Sequence, residues 1–191
     1  MEFFFDTETS GFLKKDLAPD HSDQSWIMQL AFIVSDKDRI YTEFSSLIYA
    51  GDRVCNPHAQ KVHEISVEEC NKRGISEALI SNLLLNMITP IPELTLVAHN
   101  IFFDLDFVSQ MLFRRQQKEF DRLIKKLPLF CTMKSTTELC KLPGRYGKYK
   151  WPKLTELYSF LFNEEFEGAH DALVDVKATR RCYYKLKEMG L

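Results

Sequence analysis

The sequence predicts an α/β fold, a sheet covered by helices on both faces, and three observations lead there. The chain opens with Phe3-Phe4-Phe5 running into Asp6-Thr7-Glu8-Thr9 and the turn-forming pair Ser10-Gly11. An unbroken apolar run of this kind reads as a strand buried on both faces in the centre of a sheet. Two β-rich runs, within Ser25–Ser35 and Ile40–Tyr49, flank the charged turn Asp36-Lys37-Asp38 and signal an antiparallel hairpin. Further on, Ser76–Met87, Phe102–Arg115 and Asp171–Met189 carry apolar residues at helical spacing.

In chain order, residues 12–24 are polar, contain Pro19 and show no period, so they read as an exposed loop. A turn-rich segment from Gly51 to Pro57 follows the hairpin. Ser66 with Glu69 resembles a capping box for a short helix. The helix from Ser76 stops at Thr89-Pro90-Ile91-Pro92, because proline cannot continue it. Leu94–Ala98 is a short buried strand that delivers His99-Asn100 to its end. Ser135–Cys140 and Lys153–Phe162 read as short helices.

The 191 residues fit one domain, 1–191, with enough chain for a substantial core. A net charge of -2 does not suggest an all-over polyanion binder, so contact with nucleic acid would be local. Cys55, Cys70, Cys131, Cys140 and Cys182 are scattered, odd in number and form no C-x-x-C pair. That argues against a disulfide framework and a structural zinc site, and for a reducing, cytoplasmic setting. No leader pattern and no membrane-length apolar run is expected.

The acids carry the chemistry. Alternation places Asp6 and Glu8 on one side of the first strand, roughly 6.5 to 7 Å apart along it. Two carboxylates that close at a buried strand end repel unless a cation such as Mg2+ sits between them; two solvated acids in a loop fit the same spacing. On the helix from Phe102, Asp104 shares the apolar face of Phe107, Val108 and Met111, whereas Asp106 falls with Ser109 and Gln110 and reads as solvated. A capped or partnered buried acid would explain Asp104 as well as a metal would. On the last helix Asp175 interrupts the stripe of Ala172, Val176, Thr179 and Tyr183, and His170 stands just before the helix, where a packing or capping role is also open. Four carboxylates meeting at one point need cations, and a pair of Mg2+ or Mn2+ ions is the arrangement used for phosphodiester hydrolysis.

Taken together these segments resemble the DEDDh, or DnaQ-like, 3′-to-5′ exonuclease family of the RNase H-like superfold. Asp6-Thr7-Glu8-Thr9-Ser10-Gly11 looks like its first motif, with Ser10 where Thr is more usual. Ala98-His99-Asn100-Ile101-Phe102-Phe103-Asp104 looks like the second, and His170-Asp171-Ala172-Leu173-Val174-Asp175 the third. Val62-His63-Glu64-Ile65 is similar to a further segment, with Glu64 in place of the usual Gly. The resemblance implies a five-stranded mixed sheet, an antiparallel meander plus parallel strands, flanked by helices. It implies that Asp6, Glu8 and Asp175 hold one metal and its attacking water, that Asp6 and Asp104 hold the second, and that His170 is the general base. Thr7, Thr9, Ser10, Gly11, Phe12, His63 and Asn100 would line the pocket for the terminal nucleotide.

From Arg122 to Lys153 nine basic residues face one acid, Glu138. Between Lys141 and Lys153 the cations, Arg145, Lys148 and Lys150 among them, interleave with Tyr146, Tyr149 and Trp151, as a single-strand-binding loop requires. A solvated loop with its rings packed back on the domain is the plain alternative. The expected activity is metal-dependent removal of nucleoside 5′-monophosphates from the 3′ end of single-stranded or frayed DNA. An RNA-trimming enzyme of the RNase T kind and a non-catalytic nucleic-acid-binding module are the rivals. A homodimer and a polymerase-associated subunit are both compatible with the sequence.

Overall fold

The computed structural model describes residues 1–191, and alternation along its first strand, β1 (Glu2–Thr9), sets the layers. β2 (Ile27–Ser35) and β3 (Ile40–Leu47) form the expected hairpin. Three helices follow, α1 (Pro57–His63), α2 (Val67–Arg73) and α3 (Glu77–Ile88). β4 (Thr95–Ala98) then leads into α4 (Ile101–Arg114), α5 (Lys118–Ile124) and β5 (Leu129–Cys131). The chain ends through α6 (Thr132–Ser135), α7 (Thr137–Cys140), α8 (Leu154–Phe162) and α9 (Ala172–Glu188).

The sheet order is β3-β2-β1-β4-β5, with β1 antiparallel to β2 and parallel to β4, and β4 parallel to β5. This is the five-stranded mixed sheet that the resemblance implies. On one face Phe3 and Phe5 join Leu30, Phe32 and Val34 of β2 under Ile80 and Leu84 of α3 and Phe107, Val108 and Met111 of α4. On the other, Phe4 joins Ala31, Ile33 and Val97 beneath Ala172, Val176 and Tyr183 of α9. β1 is therefore a central strand with apolar cover on both sides, and that burial is the main stabilising term of the fold.

Some elements differ from the expectation. The segment entering Pro57 is not only a turn: Asn56 caps a helix, its side chain accepting from His58 N–H at 2.8 Å, with Pro57 in the first turn. α5 and the three-residue β5 escape a periodicity test because each is about two helical turns or less. The expected helix over 135–140 is instead two single turns broken at Thr136, whose φ/ψ of -110°/4° leaves the helical region.

Candidate active site

The site forms where β1 outruns its neighbour. Pairing of β1 with β4 ends at Phe4 and Val97, whereas pairing with β2 continues to Thr9. On the β4 side the backbone of the last residues of β1 is thus left without a strand partner. Asp104, 2 % exposed in the first turn of α4, fills that gap: its Oδ1 accepts from Thr7 N–H at 3.0 Å and from the Thr7 hydroxyl at 2.7 Å. An inward carboxylate on α4 is thereby locked beside Asp6. Asp106 faces solvent, as its spacing predicts.

Asp175 reaches the same point from the first turn of α9. Its Oδ2 accepts from His170 N–H at 3.1 Å, and its buried Oδ1 has no partner. Glu8, His170 and Asp175 present ligand atoms all within 4.8 Å of one another. His170 holds a left-handed φ of 73°, a conformation that costs free energy outside glycine; the turn is compensated by its N–H bond to Asp175. A residue that sequence reasoning missed, Gln29 on β2, fixes the start of α9. Its Nε2 donates to Asp171 Oδ2 at 3.2 Å, while its Oε1 accepts from Ala172 N–H at 3.2 Å. Asp171 in turn caps the helix through Leu173 N–H and Val174 N–H. The signal was a lone glutamine in the otherwise apolar strand Ile-Met-Gln-Leu-Ala-Phe-Ile-Val.

The four acids are held up in pKa for a common reason. Burial, then repulsion from Asp104, Asp175 and Glu8, pushes Asp6 well above the carboxylate range. Burial and the charges of Asp175 and Asp104 push Glu8 up to about 8. Burial pushes Asp104 up to about 7, against the pull of the two Thr7 hydrogen bonds, and Asp175 up to about 6, against the His170 N–H. Buried like charges and an unpartnered carboxylate oxygen are what a hard divalent cation relieves, and a donor set of four carboxylates suits Mg2+ or Mn2+. The residues present fit such ions.

The residues expected around a terminal nucleotide divide into a surface and a foundation. Phe12 is 83 % exposed and meets Phe103 of α4 edge-on, with ring centroids 6.1 Å apart. Gly11 has φ 139°, and a Cβ there would lie 3.3 Å from Asn56 Cβ, so only glycine suits the position. Thr7, Thr9, Ser10 and His63 are buried. Ser10 Oγ accepts from Trp26 N–H and His63 Nδ1 accepts from Ile65 N–H, each at 3.0 Å. Asn100 takes a left-handed φ of 68° between β4 and α4. Glu64, standing where the family's Gly is usual, also takes a left-handed φ of 59° at the end of α1, which explains the glycine it replaces. In the basic segment, a bridge between Pro143 and Tyr149 closes a small hairpin whose tip exposes Arg145, Lys148 and the Tyr146 ring. Lys150 is drawn into an ion pair with Glu156.

Comparison with known proteins agrees with this architecture. No curated protein matches the chain. Among solved structures it is similar to E. coli exonuclease I in complex with a dA16 oligonucleotide, with TM-score 0.74 and 19 % identity over 98 % of this chain and 40 % of that one. The zinc-bound form of the E. coli exonuclease I–single-stranded DNA complex gives TM-score 0.72 and 20 % identity, again over 98 % and 40 % of the two chains. The chain thus spans about 40 % of the length of those proteins. The family model described as Exonuclease (RNase_T) matches residues 3–183, and the chain belongs to that family of nucleases.

Proposed function

We propose that the chain is a 3′-to-5′ exonuclease that uses two divalent cations, Mg2+ or Mn2+, to release nucleoside 5′-monophosphates from single-stranded or frayed DNA. The observation that carries this reading is the meeting of Asp6, Glu8, Asp104 and Asp175, all raised in pKa, around a buried Asp175 oxygen without a partner. Asp6, Glu8 and Asp175 would hold one cation, and Asp6 with Asp104 the other. Such ions polarise the phosphodiester, lower the pKa of the attacking water and stabilise the leaving oxygen. His170, exposed at the rim and tied to Asp175 by its N–H, takes the water's proton and can pass it to solvent. Thr7 acts by positioning Asp104, and Thr9, Ser10 and His63 support the pocket from beneath. The Gly11 backbone and the Phe12 ring face the terminal nucleotide, and Arg145 and Lys148 attract the phosphates behind it. The oligodeoxynucleotide complexes of exonuclease I support DNA over RNA as the substrate.

The test is digestion of matched, 5′-labelled DNA and RNA strands with Mg2+ or Mn2+. The wild type shortens DNA stepwise from the 3′ end, Asp175→Asn abolishes this, and His170→Ala slows it by about 10²- to 10⁴-fold. Binding without shortening, in either metal, would leave only a non-catalytic module; faster trimming of RNA would reverse the substrate assignment.

A further inference from the structure

Outside the acidic cluster the surface carries a second grouping that the chemistry above does not use. Lys134 of α6 places its Nζ 4.1 Å from the centroid of the Phe102 ring and 6.0 Å from that of Trp151. Both rings face water, Phe102 at 47 % and Trp151 at 61 % exposure. Lys134 enters none of the molecule's ion pairs, unlike Lys150 nearby. A cation held between exposed rings, without a carboxylate, is open to an anion attached to something flat.

The grouping is built, because one half-buried histidine ties together the segments that supply it. His99, between β4 and α4, lies 3.0 Å through Nε2 from the carbonyl oxygen of Pro152, the residue after Trp151. A carbonyl only accepts, so Nε2 carries the proton and Nδ1 accepts from the Thr132 hydroxyl, 3.0 Å away and two residues before Lys134. Burial pushes His99 down to about 4, so this tautomer persists at neutral pH. Phe102 lies three residues past His99, on the outward side of the same helix turn that sends Asp104 inward.

We propose that Trp151, Lys134 and Phe102 form a second nucleotide subsite, in which a base upstream of the terminal nucleotide stacks on the free face of Trp151 while its phosphate pairs with Lys134. Phe102 holds the lysine in place, and His99 ties the subsite to the start of α4, the helix that carries Asp104. Stacking needs no base-edge contact, so the subsite accepts any base and favours single strands over paired ends. The inference rests on the exonuclease reading, and its test separates the two.

Hydrolysis of a dT10 strand is compared with that of a thymidine 5′-monophosphate nitrophenyl ester, which has no upstream nucleotide. Trp151→Ala is expected to lower kcat/KM on dT10 by about 5- to 150-fold, the range for loss of one stacked base, and to leave the ester unchanged; Trp151→Phe restores most of the loss. Lys134→Gln is expected to lessen the slope of log affinity for dT10 against log salt by about 0.7, one phosphate's worth. Equal losses on both substrates, or none on either, overturn the subsite. A wild type inactive on both defeats the exonuclease reading instead. The subsite is then decided by fluorescence: dT10 must quench the exposed Trp151, Trp26 being buried, and an absence of quenching overturns it.

Discussion

Thr7 shows how one residue can fix the orientation of another across the fold. Its N–H and hydroxyl both end on Asp104 Oδ1, so the acid from α4 has one available orientation beside Asp6. Partners of metal ligands commonly matter by 10- to 100-fold. Thr7→Val keeps the shape and the backbone bond but removes the hydroxyl, and should weaken Mg2+-dependent cleavage by about 10-fold, recovered in part at high Mg2+. Unaltered metal dependence would mean that the backbone N–H alone positions Asp104. In sequence this pairing was invisible, because residues 97 positions apart meet. Gln29 and Ala172, 143 positions apart, were hidden for the same reason.

Among the elements, the loop of residues 12–24 reads from sequence only as polar and exposed, yet it is anchored. Arg114 of α4 donates to the carbonyl of Pro19 at 3.0 Å and, with Arg53, pairs with the buried Glu77 at the start of α3. Burial works against the Glu77 charge, but the two guanidinium groups outweigh it and hold the carboxyl below its usual range. Arg53 also lies over the Trp26 ring, 4.6 Å from its centroid. Glu77→Ala leaves two cations facing each other near the core and should cost about 3 to 5 kcal/mol. Urea unfolding would show the shifted midpoint, and limited proteolysis should nick residues 12–24 sooner; an unchanged midpoint would show that water replaces the pair at little cost. The helices and strands with long apolar periods were legible in sequence. α5 and β5 were not, since two turns or three residues hold too few positions to define a period.

For the whole molecule, the acidic cluster makes stability depend on pH in an unusual sense. Glu8, Asp104 and Asp175 have folded-state values of about 8, 7 and 6 against ordinary values of 4.5, 3.8 and 3.8, and Asp6 is raised as well. The folded chain therefore binds more protons than the unfolded chain between about pH 4 and 8. Without metal, stability is fully present below pH 4 as far as these groups are concerned and is lost as pH rises through 6 to 8. On the proposed function divalent cations replace the protons, so Mg2+ or Mn2+ should raise Tm far more at pH 8 than at pH 5, with proton release on binding. A metal-induced shift in Tm that is the same at both pH values would show that the acids do not share a cation. Which residues carry the charge, and which faces of β1, α4 and α9 they occupy, can be read along the chain, because strand and helix periodicity are local properties. That β1 extends past β4, that Asp104 enters the space so opened and that Gln29 fixes the start of α9 emerges only in the packed molecule. Those outcomes depend on register and on hydrogen bonds between distant residues, which are settled when the sheet and helices pack.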